Sequence, residues 1–112
     1  MNYYSSWAIF QPHTYTRTKN HLKDFAKVLS SFDNIIITDI YSAREQNTVH
    51  ISSKDLVDEI QKLGKNAVYL TDFNAISEYV LLNAKSNDII LTIGAGDITN
   101  IGPELLKKPC LT

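Results

Sequence analysis

The feature that most constrains the fold of this chain is an alternation of short apolar runs with longer stretches of helical periodicity. The apolar runs are typical of strands and lie at residues 7–10, 35–40, 67–70 and 88–93. The second run is nearly continuous in its apolar, β-branched character, which favours a parallel strand covered on both faces. Pro12 ends the first strand, because a proline cannot continue a central strand.

The stretches between these runs carry apolar residues at i, i+3, i+4 and i+7, the spacing of helices with one buried face. The residues are Leu22, Phe25, Ala26 and Leu29 in the first stretch, Leu56, Val57, Ile60 and Leu63 in the second, and Phe73, Ile76, Val80 and Leu81 in the third. The first helix is predicted to extend from about Thr18 to Ser31 or Phe32.

Helix-terminating residues support the other helices. Ser52 and Asp55 resemble a capping pair at the start of the second helix, and Gly64 is a natural stop at its end. Asp72 can cap the third helix. A last short helix is predicted after the turn at residues 94–97.

The repeated order of strand and helix predicts an α/β fold, a three-layer Rossmann-like sheet that is mostly parallel, with about four strands and helices on both faces. The chain has 112 residues, of which 44% are hydrophobic and 21% are charged, as expected of one globular domain. Residues 7–112 are assigned to this domain, and residues 1–6 to an N-terminal extension or an artificial start. Ligands of such sheets bind beyond the C-terminal strand ends, so the loops that follow the strands are where we expect function.

Charge and cysteine content exclude several classes of partner. A formal net charge of −1 and a pI near 6.3 offer no basic field for nucleic acid or an anionic membrane surface. No apolar run has membrane-spanning length, and the N-terminus does not resemble a secretory signal. The one cysteine, Cys110, excludes an internal disulfide framework, so a cytoplasmic location is predicted. His21 and His50 have no partners at ligand spacing, so no metal site is expected.

The loop after the first strand places His13 and Arg17 just before or within the first turn of the next helix. Arginine has a planar fork that can form two hydrogen bonds with a carboxylate or phosphate, and helix-end amide groups would favour the same negative charge. The pattern therefore indicates an anion site, to which His13 could contribute a donor, an acceptor or a charge. From spacing alone, capping or surface roles for both residues are more common.

The loops after the second and fourth strands carry weaker signals. Asp39, Tyr41, Arg44 and Glu45 either line a site or serve as a cap and its solvated neighbours, and we assign them no proton-transfer role. The Gly-Ala-Gly sequence at residues 94–96 is typical of a tight turn, because it lacks both the dinucleotide fingerprint and the lysine of a P-loop.

Three segments carry a resemblance to a known family. Residues 10–18 read Phe-Gln-Pro-His-Thr-Tyr-Thr-Arg-Thr, residues 38–45 read Thr-Asp-Ile-Tyr-Ser-Ala-Arg-Glu, and residues 91–98 read Leu-Thr-Ile-Gly-Ala-Gly-Asp-Ile. In this order, and at the ends of three predicted strands, they resemble the C-terminal domain of the bacterial UDP-N-acetylmuramate L-alanine ligases (MurC). The resemblance covers most of the chain, and three collinear motifs are stronger evidence than any one of them.

The resemblance implies an ATP-dependent ligase of peptidoglycan precursor synthesis. In such an enzyme ATP, with Mg²⁺, phosphorylates the lactyl carboxylate of UDP-N-acetylmuramate, and the amine of L-alanine then displaces phosphate to form an amide. The C-terminal domain would hold the amino acid and close over the nucleotide.

The resemblance also implies roles for individual residues. His13 and Arg17 would bind the L-alanine carboxylate. Thr14 stands where family members often have a second arginine, so a second cation is not assumed. The residues expected to line the site are Gln11, Thr14, Asp39, Tyr41, Arg44, Glu45, Gly94, Gly96 and Asp97.

The parts that the sequence lacks set the limits of this interpretation. It contains no Gly-Lys-Thr loop for ATP and no UDP-sugar domain, so these residues alone are expected to hold no catalytic residue, to bind no cofactor and to be inactive. The segment that usually precedes the first strand in the family is also missing, so the domain is interpreted as partial. An open sheet edge could then pair with another chain. The alternative function is a free-standing binding or protein-interaction module that has kept the ligase fold.

Overall fold

The computed structural model describes residues 5–85 and 88–93. The elements in chain order are β1 (Ser6–Phe10), α1 (Tyr15–Asn20), α2 (Leu22–Leu29), β2 (Asn34–Ile37), α3 (Ser53–Lys62), β3 (Asn66–Tyr69), α4 (Phe73–Asn83) and β4 (Ile89–Ile93). The four strands form one sheet in the order β3-β2-β1-β4, and every neighbouring pair is parallel. The predicted α/β class with a parallel sheet is therefore confirmed.

The first strand occupies the centre of the sheet. It pairs with β2 from Trp7 opposite Asn34 onward, and with β4 from Ser6 opposite Ile89 onward. The connections from β1 to β2 and from β2 to β3 each lead to the neighbouring strand, and both run in the same direction across the sheet. The connection that follows β3 runs back past β2 and β1 to β4, on the other side of β1. The point where the order reverses is a place where α/β sheets open a crevice for ligands.

The two faces of the sheet carry separate cores. On one face Ile35 and Ile37 pack with Ala26 of α2 and with Leu56 and Ile60 of α3, and all five are buried. Each fully buried isoleucine or leucine side chain contributes about 1.5–3 kcal/mol to folding. These contacts explain why the apolar residues of α2 and α3 recur at helical spacing.

The second core lies on the opposite face. Trp7, Ile9 and Ile36 of the sheet pack there with Ile76 and Val80 of α4, and each of them is at most 2% exposed. Odd and even residues of β1 therefore enter different cores, which is the alternation expected of a strand that is covered on both faces. The prediction of helices on both faces is confirmed.

The first helical stretch differs from its prediction. It begins at Tyr15, three residues earlier than expected, and His21 divides it into α1 and α2. The buried Thr18 donates its hydroxyl to Thr14 O at 2.6 Å, and threonine bonds of this kind to the carbonyl four residues earlier often bend helices. The second part ends at Leu29, so the predicted end at Ser31 or Phe32 was two or three residues too late.

The second strand is shorter than predicted, because it ends at Ile37 and not at residue 40. Thr38 N–H still donates to Phe10 O at 3.0 Å, but the backbone then leaves the sheet. Tyr41 N–H donates instead to Pro12 O at 2.8 Å, in the loop that follows β1. The end of this apolar run therefore belongs to a contact between two loops.

The ends of α3 and α4 follow the predicted capping, with one exception. Asp55 accepts a hydrogen bond from Ser52 N–H at 2.9 Å, Asp72 accepts one from Asn74 N–H at 3.0 Å, and Gly64 has a φ of 82°. Leu63 was predicted to belong to the buried stripe of α3, but it follows the last helical residue and is 54% exposed. Its N–H bonds to Ile60 O at 3.0 Å, and this tightening of the last turn rotates the side chain away from the core.

A carboxylate holds β1 to β4 at the N-terminal edge of the sheet. Asp88 accepts hydrogen bonds from Ser5 N–H at 3.0 Å, from the Trp7 indole at 3.0 Å and from Lys85 N–H at 2.9 Å. Burial alone would raise the pKa of Asp88, but these hydrogen bonds outweigh it and hold the pKa below its ordinary value. Asp88 therefore ties the end of α4 to two strands.

Asp33 has the corresponding position between β1 and β2. Its carboxylate accepts hydrogen bonds from Ser6 N–H at 2.8 Å and from the Ser6 hydroxyl at 3.2 Å.

Among the residues that the structure describes, no helix is long and apolar enough to cross a membrane. The predicted last helix and Cys110 lie outside the described residues.

Candidate functional site

Two loops meet at the C-terminal edge of the sheet, one after β1 and one after β2. His13 and Tyr41 form an isolated parallel bridge, with Tyr41 N–H donating to Pro12 O at 2.8 Å and Thr14 N–H donating to Tyr41 O at 2.7 Å. The rings of His13 and Tyr41 are stacked, with centroids 5.6 Å apart and planes inclined by 26°. The structure therefore brings together two residues that the sequence predicted in separate motifs.

Thr14 connects this bridge to α1. Its hydroxyl accepts a hydrogen bond from Arg17 N–H at 3.3 Å and caps the helix, and its carbonyl accepts one from Thr18 N–H at 3.2 Å. The backbone of Thr14 has a φ of 62° and a ψ of 149°, a combination that is rare for any residue with a side chain. A strained backbone persists only where surrounding contacts hold it in place, and strained residues are common at binding sites.

Arg17 lies in the first turn of α1 with an exposed side chain. Its guanidinium forms no hydrogen bond or ion pair with residues 5–85 or 88–93. A guanidinium without a partner among the described residues has its fork of donors available, and a fork of this kind fits a carboxylate.

Glu45 reaches back from the β2 loop to the first turn of α1. Its two oxygens accept hydrogen bonds from Thr16 N–H and from the Thr16 hydroxyl, each at 2.8 Å. These bonds lower the pKa of Glu45, and the nearby charge of His13 lowers the pKa a little further. The two residues before it, Ala43 and Arg44, have φ values of 50° and 70°, so the loop turns sharply to deliver the carboxylate.

This arrangement changes one expectation about the anion site. The helix-end amides of α1 were expected to favour a bound anion, but the amide of Thr16 already donates to Glu45 and that of Arg17 to Thr14. Two amides of the first turn are therefore already bonded to the protein's own acceptors. A ligand carboxylate would depend on side chains, chiefly that of Arg17.

Asp39 points to the other side of the same edge. Its carboxylate accepts a hydrogen bond from the Tyr69 hydroxyl, and this bond raises the pKa of Tyr69 to about 12. The ammonium of Lys54 lies 5.8 Å from the centre of the Tyr69 ring. Asp39 is thus a partner of β3, and it is not in the hydrogen-bonded cluster around His13.

An open cleft of about 360 Å³ lies on the Asp39 side of this edge, and neither His13 nor Arg17 lines it. The residues that line it are Tyr15, Asp39, Ile40, Asn47, Ile51, Ser52, Ser53 and Tyr69. Tyr15 neighbours Thr14 and Thr16 along α1, so the cleft opens beside the His13 loop. It lies beyond the carboxyl ends of β2 and β3, on the side of the sheet where α/β folds bind ligands, but away from the point between β1 and β4 where the strand order reverses.

The remaining predicted site residues divide into two groups. Gln11 donates its N–H to Ile93 O at 3.0 Å, and its Oε1 is buried without a hydrogen-bond partner among the described residues. Gly94, Gly96 and Asp97 lie outside the described residues. Within the described part of the chain, no group of three or more His, Cys, Asp or Glu residues could hold a metal ion.

Sequence reasoning missed several residues of this region. Thr16 binds Glu45, Tyr69 binds Asp39, and Asn47 closes its own loop by accepting from Ile51 N–H at 3.1 Å. Tyr69 could have been found, because it ends the third strand and therefore reaches the same edge as Asp39. Thr16 and Asn47 carried no such signal, since their partners depend on the path of a loop.

Comparison with known proteins assigns the chain to a class of ligase domains. It belongs to the family described as "Mur ligase, glutamate ligase domain", which matches residues 3–96. It is 48% identical over 91% of its length to the UDP-N-acetylmuramate–L-alanine ligase of Lachnoclostridium phytofermentans. It is 54% identical over 90% of its length to the corresponding ligase of Caldanaerobacter subterraneus subsp. tengcongensis.

A third relative, the UDP-N-acetylmuramate–L-alanine ligase of Acetivibrio thermocellus, is 50% identical over 95% of the chain. The alignments cover only 22%, 22% and 23% of the three ligases, so the chain spans about a fifth of the length of the curated relatives that it matches.

A solved structure shows the same fold. The crystal structure of the UDP-N-acetylmuramate–alanine ligase MurC from Thermotoga maritima aligns with 92% of this chain and 20% of its own, with a TM-score of 0.69 and 24% identity. The resemblance to this family that the three sequence motifs indicated is thereby confirmed.

Proposed function

We propose that this chain is the amino-acid-binding and closing domain of an ATP-dependent UDP-N-acetylmuramate–L-alanine ligase in peptidoglycan precursor synthesis. The observation that carries the proposal is the identity of 48–54% to ligases with that name across at least 90% of the chain. The stacked His13–Tyr41 pair is consistent with it, and so is Arg17 in the first turn of the next helix, whose guanidinium has no partner among the described residues, because such groups suit a small anionic ligand. The domain itself forms no bond and depends on the rest of the ligase.

In this proposal Arg17 receives the carboxylate of L-alanine through two parallel hydrogen bonds. His13 lies on the strand side of the same carboxylate and adds a donor. The amine of the bound amino acid is then free to face the acyl phosphate formed elsewhere in the ligase. Holding the amine in this alignment is the contribution of these residues, since proximity and orientation lower the barrier to amide formation.

The described residues do not fit an ATP site. The sequence has no Gly-Lys-Thr loop to surround a triphosphate, and the first turn of α1 already bonds to Glu45 and Thr14. We therefore assign ATP, Mg²⁺ and UDP-N-acetylmuramate to the other domains of the ligase, and no step through them to this chain. The proposed location is the cytoplasm, where the sole cysteine would stay reduced.

The experiment that tests this function is an amide NMR titration of the chain with L-alanine. We expect shifts at residues 13–17 and at Tyr41 that saturate in the millimolar range, and we expect Arg17→Ala to abolish them. Lys27→Ala is the matched control, because Lys27 is an exposed cation on α2, outside both loops. A wild-type chain that gives no saturable shift, or one whose shifts survive in Arg17→Ala, would contradict the proposed amino-acid site.

A second candidate, a protein-interaction module, is favoured by one observation on β4, an outer strand of the sheet in the described part of the chain. Ile89, Ile90 and Leu91 of β4 are 38%, 37% and 47% exposed, although their composition is typical of a buried strand. An apolar edge strand can pair with a strand of another chain or with a second copy of this one. Sizing over a hundredfold range of concentration tests self-association, and a monomer at every concentration would argue against it.

A further inference from the structure

The loop between β2 and α3 is fastened to α1 at two separate points. Near the start of α1, Glu45 accepts two hydrogen bonds from Thr16. Near its end, the ammonium of Lys19 donates to Val49 O at 3.1 Å. Only the first contact adjoins Arg17 and the His13–Tyr41 pair, so the two contacts differ in what they could control.

We propose that Glu45 is a positioning residue for the amino-acid site, a latch that fixes the first turn of α1 against the Tyr41 loop and so holds Arg17 and His13 in one arrangement. The inference rests on the proposed function, because the arrangement matters only if the site binds an amino acid. Glu45 itself is not expected to contact the ligand, since its two oxygens are occupied by Thr16.

The geometry supports a latch rather than a chance surface contact. Both oxygens of Glu45 are engaged, and both donors belong to one residue, so the carboxylate fixes the orientation of Thr16 as well as its distance. Thr16 is the residue directly before Arg17, so restraining its backbone also restrains the direction in which the Arg17 side chain leaves the helix.

Backbone strain on both sides of the contact points the same way. Thr14, the N-cap before α1, and the two residues before Glu45, Ala43 and Arg44, all have positive φ values, which residues with side chains disfavour. Such conformations persist only where other contacts hold them. The Glu45–Thr16 hydrogen bonds join these two segments directly. The loop near Val49, where His50 also has a positive φ, is held by hydrogen bonds between Asn47 and Ile51 as well as by the bond from Lys19.

Charge gives the latch a second effect. A free carboxylate inside the site would repel the carboxylate of an amino acid. In this structure the carboxylate of Glu45 is engaged by two donors of Thr16. The guanidinium of Arg17 is therefore not neutralised by Glu45 and keeps its full charge for the ligand.

The test compares Glu45→Ala with Glu45→Gln, which retains one acceptor. Glu59→Ala is the matched control, because Glu59 is also a glutamate with a lowered pKa and a single exposed partner, Lys62 at 2.8 Å, but it lies on α3. We expect Glu45→Ala to weaken L-alanine binding at least fivefold, Glu45→Gln to restore part of it, and Glu59→Ala to leave it unchanged.

Two readouts without ligand separate the latch from the proposed function. In the wild-type chain, the Thr16 amide resonance should move as the pH falls through the lowered pKa of Glu45, below 4.5, and contacts between the His13 and Tyr41 rings should weaken over the same range. The His13 ring is followed by its own resonance, so that its protonation is not mistaken for that of Glu45. Glu45→Ala should show neither transition and should have the weakened ring contacts at every pH.

The outcomes are distinct. If the wild-type chain binds L-alanine and Glu45→Ala binds it equally well, the latch is wrong and the proposed site stands. If the wild-type chain does not bind L-alanine, the proposed function of this site is contradicted. The proposed role of Glu45 is then tested by the contacts between the His13 and Tyr41 rings alone. Loss of these contacts in Glu45→Ala would support the role, and unchanged contacts would overturn it.

A double-mutant cycle with Thr16→Val completes the test. If Glu45 acts through Thr16, the combined variant should bind L-alanine no more weakly than Glu45→Ala alone. Losses that multiply would mean that the two residues act independently, and the latch would be rejected.

Discussion

The two edges of the sheet use the same kind of residue for different purposes. At the N-terminal edge, Asp33 and Asp88 accept hydrogen bonds from the start of β1, from the Trp7 indole and from Lys85 just after α4. At the C-terminal edge, Asp39 and Glu45 reach across loops to a tyrosine and to a helix start. The first pair joins secondary-structure elements to one another, whereas the second pair shapes the surface around a cleft.

Backbone conformation shows the same contrast. The four non-glycine residues with positive φ in the described part of the chain, Thr14, Ala43, Arg44 and His50, all lie in loops at the C-terminal edge. At the N-terminal edge the one positive φ belongs to a glycine, Gly64, which adopts it without steric cost. Within its described residues, this fold therefore concentrates backbone strain where a ligand is expected and avoids it at the opposite edge.

The largest effect should come from removing Asp88. We expect Asp88→Ala to lower the free energy of unfolding by about 2–3 kcal/mol, because the donors of Ser5, Trp7 and Lys85 lose their shared acceptor. Urea denaturation followed by the fluorescence of Trp7, the one tryptophan of the sequence, measures the change. Asp58→Ala, an exposed aspartate on α3, should change the free energy by less than about 0.5 kcal/mol. Equal effects of the two variants would remove the distinction between the edges.

At the opposite edge, Arg17→Ala should affect binding and not stability. We expect the affinity for L-alanine to fall at least tenfold, which corresponds to about 1.4 kcal/mol. The free energy of unfolding should stay within about 0.5 kcal/mol of the wild-type value, because the side chain is exposed. Denaturation and the NMR titration are performed on the same sample. A large loss of stability would show that this edge, too, serves the fold.

Gly64 tests whether the N-terminal edge is free of strain. Gly64→Ala should lower the free energy of unfolding by about 1 kcal/mol, because a residue with a side chain disfavours a φ of 82°. An added Cβ would meet no atom within 4 Å, so steric contact contributes nothing. Gly64→Asn should lose less, since asparagine tolerates this conformation. The prediction fails if denaturation gives both variants the same loss.

Acid should weaken the N-terminal edge in a way that one variant can reveal. The pKa of Asp88 is lowered in the folded chain, so its contribution to stability is present above the pKa of the unfolded state, about 3.9, and is lost as the pH falls through the folded pKa. Between pH 6 and pH 3, the wild-type urea midpoint should therefore fall more steeply than that of Asp88→Asn. Parallel pH profiles would mean that Asp88 contributes no pH-dependent stability.

Most of the fold could be predicted from the sequence, because its signals are local. The β-branched run before Ile37 indicated a covered parallel strand, and the spacing of Leu56 and Ile60 indicated one buried helix face. The strand order was not predicted, since periodicity does not say which strands are neighbours. The exposed Leu63 and the break at His21 were missed because both depend on how the last turn of a helix is hydrogen-bonded.

The candidate site was predicted only in part. The motifs placed His13, Tyr41 and Glu45 in loops at one edge, and the structure brings the first two into contact. The role of Glu45 as an acceptor for Thr16 could not be predicted, because it depends on a turn in which Ala43 and Arg44 have positive φ values. A glycine would have indicated such a turn, but neither residue is a glycine.

The position of β1 at the centre of the sheet has a consequence for folding. Its contact with the start of β2 joins residues 27 apart in sequence, as between Ser6 and Asp33, whereas its contact with the start of β4 joins residues 83 apart, as between Ser5 and Asp88. Closing the longer loop costs about 1 kcal/mol more in chain entropy. On the ribosome, β1 is the first of these four strands to be synthesised, but it gains its second neighbour last. Its side that pairs with β4 stays unpaired until β4 has been synthesised.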